Sequence, residues 1–123
     1  MAELPKPSRG EIWDAVFPGD PPGKPPRPVL VVSTNNRNRH PRASTVLVVP
    51  FSTTLSEYPT HMRLAPGETG LAEISELQPE QISSVRKEYL KARAGTRVQG
   101  EATMRKIAKF VMFALGILPQ EIQ

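Results

Sequence analysis

Cysteine is absent from this 123-residue chain, so disulfides and thiolate metal sites are excluded. Histidine is scarce: His40 and His61 are the only two, and they do not form a His-x-x-x-His pair. The longest apolar run, residues 110–118, is too short for a bilayer span, which takes about 20 residues. The first residues also lack the apolar core of a secretion signal. We therefore expect a cytoplasmic protein that needs no metal and no cofactor and makes no membrane contact.

Acidic residues are missing from a long central stretch. Between residues 21 and 56 there is no Asp or Glu, although Lys24, Arg27, Arg37, Arg39 and Arg42 all lie there. The net charge of the whole chain is only +4, so the uneven distribution is more informative than the total. A basic segment of this kind attracts a polyanion such as a nucleic acid, although a solvated basic surface has the same composition.

The length suits a single domain, residues 1–123, with one core. Residues 1–8 are expected to form a loose tail, and the six prolines and two glycines of residues 18–28 predict a loop. Apolar runs and alternation predict five or six short strands and one terminal helix. The predicted strands are 11–17, 29–33, 44–51, 59–64 and 81–85, and the predicted helix is 101–118. This pattern is typical of a small antiparallel barrel with helical additions.

Two of the predicted strands carry more specific expectations. Residues 29–33 are apolar without alternation, which predicts a central strand buried on both faces. On residues 59–64 the alternation places Met62 and Leu64 inside and His61 and Arg63 outside. The predicted helix has an apolar stripe at 3–4 spacing that broadens toward its C-terminal half, so we expect part of it to pack against a second copy of the chain. A deeply buried core helix is the alternative.

Two candidate functional groups lie where strands meet loops. Arg27 leaves the Pro/Gly loop and enters the strand 29–33, which suits a guanidinium that must be fixed beside a phosphate. The strand 44–51 leads directly into the hydroxyl side chains of Ser52, Thr53 and Thr54. The sequence alone leaves open whether these two ends meet.

Five segments, in order and with compatible spacing, make the chain resemble the MazF/PemK family of toxin endoribonucleases over about residues 9–90. They are RGEIW at 9–13, RPVLVVS at 27–33, VPFSTT at 49–54, YPTHMRL at 58–64, and GL at 70–71 followed by EQISSV at 80–85. The resemblance implies an SH3-like barrel with helices that acts as a homodimer. It also implies cleavage of single-stranded RNA at short sequences without a metal, and a cognate antitoxin that binds the toxin and blocks the RNA groove.

The resemblance implies that Arg27 and Ser52 are the key catalytic residues. Many relatives carry Thr where this chain has Ser52, and loss of the rotamer-restricting methyl lowers the expected activity. A glutamate that some relatives carry in the proline-rich loop has no counterpart between residues 21 and 28, which argues against a general base on this loop.

The implied chemistry assigns roles to further residues. The 2′-OH of the RNA attacks the adjacent phosphate, Arg27 stabilises the phosphorane, and Ser52 donates a hydrogen bond. His61 is a third catalytic candidate because histidine titrates near neutral pH, and simple exposure is its alternative. The candidate RNA-binding residues are Lys24, Thr53, Arg37, Arg39, Gln81 and Trp13. For Trp13 a place in the core is the stronger interpretation, and Gln81 fits RNA or backbone contact equally well.

Three other functions remain open at this point. A CcdB-like toxin of the same fold acts on DNA gyrase through a C-terminal Trp-Gly-Ile element, but this chain ends in Gln-Glu-Ile-Gln. A non-catalytic barrel that binds RNA would show salt-dependent affinity and no cleavage. An inactive paralogue would be retained only to bind antitoxin.

Overall fold

The computed structural model describes residues 4–117, which form one antiparallel sheet with short helices beside it and one longer terminal helix. The elements are β1 (Glu11–Ala15), β2 (Arg27–Val31), α1 (Asn35–Asn38), β3 (Thr45–Ser52), β4 (Met62–Leu64), α2 (Pro66–Thr69), β5 (Ser75–Leu77), β6 (Ser83–Arg86), β7 (Leu90–Arg97) and α3 (Glu101–Ala114). Short 3₁₀ turns, Pro79–Gln81 and Lys87–Tyr89, flank β6. None of the helices in this part of the chain is long and apolar enough to cross a membrane.

The strand order is β4-β5-β3-β2-β1-β7, and β6 also pairs with β3. Every pair is antiparallel. The sheet curls like a barrel, but its hydrogen-bonded path does not close. The predicted fold class, a small antiparallel barrel with a C-terminal helix, is confirmed.

The strand β3 joins the two halves of the sheet. Along one part it pairs with β2, up to Val29 opposite Pro50. Its last two residues, Phe51 and Ser52, pair instead with β5. Pro50, which lacks an N–H donor, therefore lies where the β2 ladder ends. Because β5 lies on the edge of β3 opposite β2, β5 and β4 continue the sheet on the far side of β3.

One long strand was missed from the sequence, and several bounds differ. β7 has the sequence LKARAGTR. Its Lys, Ala and Arg residues favour helix, and Gly95 weakens a strand. The segment is nevertheless a strand, because it pairs with β1. The predicted strand 59–64 is shorter, because β4 begins at Met62. The tail is irregular over residues 4–8, but its end is held, since Pro7 is buried and the Ser8 N–H donates to Glu11.

Two apolar clusters occupy opposite faces of the sheet. Leu30, Val49 and Phe51 belong to a cluster that packs against α3, whereas Val29 and Val31 belong to a second cluster on the other face. Burial of both faces of β2 is thus confirmed. Trp13 is half-buried against the second cluster and its Nε1–H donates to Glu11 at 3.3 Å, which agrees with the core interpretation.

The terminal helix α3 is buried in its first half and partly exposed in its second. Met104 and Ile107 are 5% and 0% exposed, whereas Phe113 and Leu115 are 43% and 66% exposed. The helix ends at Ala114, earlier than the predicted 118, and Leu118 lies outside the described residues. Gly116, with φ of 87°, adopts the left-handed conformation that ends a helix.

Candidate functional site

Four side chains form a row across neighbouring strands at one end of the sheet. Ser52 lies opposite Glu76, and Glu76 lies opposite Arg63. The last β2–β3 pair is Val29 with Pro50, and Arg27 and Ser52 each lie two residues beyond it, at the same end of these antiparallel strands. Side chains two residues apart share a face of a strand, so the row lies on the face away from α3. The antiparallel pairing of β2 and β3 thus puts the start of β2 and the end of β3 at the same end of the sheet.

Arg27 is oriented by the loop that precedes it. Its Nη2 donates to Oδ1 of Asp20 at 2.9 Å, and its guanidinium lies over the ring of Phe17, 5.1 Å from the centroid. The side chain is still 43% exposed. A guanidinium held on one side and open on the other can receive an anion without first being ordered.

Asp20 is a candidate site residue that sequence reasoning missed. Residues 21–28 of the loop contain no acid, and Asp20 lies just before them. Its Oδ2 accepts the N–H of Phe17 at 3.0 Å, and Lys24 lies 3.7 Å from Oδ1. The Phe17 N–H, and then the charges of Arg27 and Lys24, lower the pKa of Asp20 against the opposing effect of its partial burial. Its position seven residues before Arg27, within a Pro/Gly loop, was the available signal.

Ser52 ends β3 and is half-buried. Its Oγ accepts the N–H of Thr54 at 3.0 Å, the turn-capping contact expected of a hydroxyl at a strand end. The hydroxyl hydrogen can still donate, since this bond uses only a lone pair of Oγ. Thr53 is exposed beside it.

The predicted outward orientation of His61 is wrong. Its side chain is only 4% exposed, and its Nδ1 and Nε2 contact the carboxylates of Glu76 and Glu80. The alternation pattern predicted that this ring faces solvent, but it contacts Glu76, the middle residue of β5. Arg63 is exposed as expected. The imidazole lies between two carboxylates on opposite sides, so both of its nitrogens face protein groups.

Glu76 is the second residue that sequence reasoning missed. Its side chain is 1% exposed and accepts bonds from the backbone N–H of Ser56 and of Glu57 and from the Ser56 hydroxyl. The Ser56 hydroxyl is the largest of the influences that lower the pKa of Glu76 to about 2, against the opposing effect of burial; His61 and the two N–H groups add to the lowering. The signal was an acid flanked by Ser75 and Leu77, in a segment for which the sequence predicted no strand.

A basic surface surrounds α1 at the opposite end of β3. A cleft of about 630 Å³ is lined by Thr34, Asn36, Arg37, His40, Arg42, Ala43, Ser44 and Thr45. Arg37 donates to Thr45 at 2.6 Å, and the buried Nζ of Lys87 donates to the carbonyl of His40 at 3.1 Å. Thr45 and Ser52 are separated by the length of β3, about 23 Å at 3.3 Å per residue. Arg39 lies nearby and donates to Ser8.

The remaining candidates are dispersed. Lys24 lies in the loop near Asp20, and Gln81 is exposed at the end of a 3₁₀ turn. Within residues 4–117 no three His, Asp or Glu side chains are arranged to hold a metal ion. The His61 ring separates Glu76 from Glu80, so these three groups do not converge.

A model of the PemK-like, MazF-like toxins of type II toxin-antitoxin systems matches residues 8–115. The chain belongs to this family. The match includes Arg27, Ser52 and the whole row across the strands. Among curated protein sequences no match to this chain was found.

Solved structures of this family have the same fold. An endoribonuclease from mycobacterial species is 28% identical, with 94% of this chain and 96% of that chain covered and a TM-score of 0.71. A mycobacterial endoribonuclease in complex with its cognate antitoxin is 29% identical, with 91% and 97% covered and a TM-score of 0.71. MazF from Deinococcus radiodurans is 15% identical, with 94% and 99% covered and a TM-score of 0.68, and supports the fold alone.

Proposed function

We propose that this chain is a sequence-specific endoribonuclease that cleaves single-stranded RNA without a metal. The 2′-OH of the RNA attacks the adjacent phosphate, and the products are a 2′,3′-cyclic phosphate and a 5′-OH. The observation that carries the proposal is that Arg27, at the start of β2, and Ser52, at the end of β3, each lie two residues beyond Val29–Pro50, the last pair of these neighbouring strands. Two similar structures are of endoribonucleases.

Arg27 is the electrostatic catalyst in this proposal. Its guanidinium is positively charged and matches two phosphate oxygens at once. The contacts with Asp20 and Phe17 orient it before RNA binds, so little reorganisation accompanies the developing negative charge. The exposed side of the guanidinium is where the phosphate binds.

Ser52 donates its hydroxyl hydrogen to a phosphate oxygen or to the 2′-OH. The bond that its Oγ accepts from Thr54 fixes the oxygen and leaves the hydrogen available. Because the nucleophile is part of the substrate, the protein's tasks are alignment, proton transfer and charge stabilisation. A metal-activated water is unnecessary for this reaction.

Away from the cleavage position, basic side chains bind the phosphate backbone of the RNA and make no base-specific contact. Lys24 is next to Arg27, and Arg37 and Arg39 belong to the basic surface at the other end of β3. Contacts of this kind fix the register of the strand. Exposed Thr53 and Gln81 are the neighbouring polar candidates.

A homodimer and a cognate antitoxin complete the proposal. The exposed apolar end of α3, with Phe113 and Leu115, suits contact with a second copy of the chain. One similar structure contains an endoribonuclease with its antitoxin. We place the activity in the cytoplasm, where its mRNA substrate is found.

The test is cleavage of a long single-stranded RNA in excess EDTA, followed by mapping of the fragment ends. Wild type is expected to give discrete fragments with 5′-OH ends, and Arg27→Ala is expected to give none. Arg86→Ala is the matched control, because Arg86 is an exposed arginine paired with Glu88 on β6. RNA left intact by folded, antitoxin-free wild type contradicts the proposal, and binding without cleavage would favour a non-catalytic barrel.

A further inference from the structure

The buried carboxylate of Glu76 holds the loop that follows Ser52. The loop, residues 53–61, connects β3 to β4. Glu76 accepts the backbone N–H of Ser56 at 3.2 Å and that of Glu57 at 3.3 Å, and it contacts His61 at the loop's end. Its own backbone pairs with Ser52 at the loop's start. One residue therefore connects the beginning, middle and end of this loop.

The middle of the loop needs this support. Glu57 has a φ of 59°, the only positive φ of a residue other than glycine among residues 4–117. This left-handed conformation costs a side-chain-bearing residue about 1 kcal/mol or more, so surrounding contacts must maintain it. The bond from the Glu57 N–H to Glu76 is such a contact. Around it the loop side chains are exposed, including Tyr58 at 62%.

The hold on the loop depends on the protonation of His61. A neutral imidazole has one N–H and one lone pair, so it can donate to only one of two carboxylates. His61 faces Glu76 with Nδ1 and Glu80 with Nε2, so only the imidazolium satisfies both. Burial, the largest influence, lowers the pKa of His61, but the hydrogen bonds with Glu80 and Glu76 together outweigh it and raise that pKa above its ordinary value.

Other charges around the ring do not replace this proton. Arg63 on β4 lies 4.0 Å from Glu76 but donates to Glu57 at 2.8 Å. The groups that face His61 or its carboxylates are Glu76 on β5, Glu80 on the 3₁₀ turn, Arg63 on β4, and Glu57 and Tyr58 on the loop, with the Tyr58 ring 5.2 Å away. Without the proton on His61, three carboxylates face a single cation.

We propose that Glu76 and His61 are positioning residues, which hold the β3–β4 loop so that Ser52 is presented to RNA only while His61 is protonated. The inference rests on the proposed ribonuclease function. When His61 loses its proton, one ring nitrogen presents a lone pair to the carboxylate of Glu76 or Glu80, and the hydrogen bond to that carboxylate is lost. The loop then loses one of its two contacts through His61. The turnover number then falls at alkaline pH, while RNA affinity, which depends on distant arginines, changes little.

The first measurement uses the protein alone, so it does not depend on ribonuclease activity. NMR titration of His61 is followed together with the backbone amide signals of Ser56 and Glu57. The three signals are expected to shift with one midpoint, because these amides donate to the carboxylate that His61 contacts. Amides that stay unchanged while His61 titrates overturn the inference, whether or not the protein cleaves RNA.

The second measurement compares the pH dependence of kcat in wild type and Glu80→Gln. The side-chain amide that this substitution introduces can donate its N–H to Nε2 of neutral His61, so the loop no longer needs the imidazolium. As the pH rises through the folded pKa of His61, wild-type kcat is expected to fall about tenfold, as the loss of the oriented hydroxyl implies, and Glu80→Gln is expected to lose this decline. The Kd for RNA with a 2′-deoxy cleavage position should stay within about twofold in both.

Glu73→Gln is the matched control, since Glu73 is an exposed acid in the loop before β5 and the substitution removes the same charge. Its kcat profile is expected to follow that of wild type. If wild type and Glu80→Gln decline equally, or if neither declines while His61 titrates, protonation of His61 does not control the loop. The inference is then wrong.

Discussion

Arg27 and Asp20 form an ion pair within the proline-rich loop, with Nη2 of Arg27 2.9 Å from Oδ1 of Asp20. The pair orients the guanidinium while 43% of the Arg27 side chain stays exposed. The Asp20→Asn variant keeps the acceptor for the Phe17 N–H but loses the charge-assisted bond, which is about twice as strong as a neutral one. We expect kcat to fall about tenfold with folding unchanged, measured as single-turnover cleavage and circular dichroism.

Lys24→Ala is the control for this substitution, because Lys24 also pairs with Asp20 and its removal leaves the Arg27–Asp20 bond in place. It should weaken RNA binding and leave the single-turnover rate near the wild-type value. A wild-type rate in Asp20→Asn would show that Arg27 needs no partner in the loop.

The hydroxyl at position 52 provides a graded test. Ser52→Ala removes the donor and is expected to lower kcat by about 10²-fold, the range found for loss of one oxyanion donor. Ser52→Thr keeps the hydroxyl and adds the methyl that restricts its rotamer, so we expect activity equal to or above wild type. Single-turnover rates on one RNA give the ranking. If the alanine variant cleaves as fast as wild type, Ser52 serves only to cap the turn with Thr54.

Substitutions on the basic surface should weaken binding without affecting the chemical step. Arg37→Ala and Arg42→Ala each remove one phosphate contact, so the slope of log K against log salt should fall by about 0.7 for a single strand. Fluorescence anisotropy at several salt concentrations measures that slope. The exposed Arg105 of α3 provides the control substitution, Arg105→Ala. Unchanged slopes in both test variants would place the RNA elsewhere.

The cluster of His61 and Glu76 predicts a bounded pH range of stability. The raised pKa of His61 adds stability below its unfolded value, and this is lost as pH rises through the folded pKa. The pKa of Glu76, lowered to about 2, adds stability above its unfolded value, and this is lost as pH falls toward 2. Urea unfolding from pH 3 to 9 should show a maximum in the free energy of unfolding. In His61→Gln this free energy should be lower than in wild type below neutral pH. Equal curves for the two proteins would contradict the role of this cluster.

The sequence predicts the architecture well where pattern alone decides it. β2 is apolar without alternation and proved to be buried on both faces, and the terminal helix begins at Glu101 as predicted. β7 escaped prediction because its residues favour helix and only the partner strand β1 selects an extended conformation. Local propensity contains no information about such a partner.

The site was predictable only in part. Arg27 and Ser52 stand out from motif and resemblance, but their alignment depends on a register that only the paired strands define. His61 was predicted to face solvent because alternation within one strand contains no information about the neighbouring strand. The buried acid there, Glu76, contacts the His61 ring. Asp20 was overlooked because its role depends on the loop folding back toward Arg27.

The most direct test of the account is a double-mutant cycle of Arg27→Ala and Ser52→Ala, measured as single-turnover RNA cleavage in excess EDTA. If both groups act on one phosphate, the double variant should be about as slow as the slower single variant, because groups that act as a unit are not additive. Rate losses that multiply, or variants that cleave as fast as wild type, would contradict a shared site at the ends of β2 and β3.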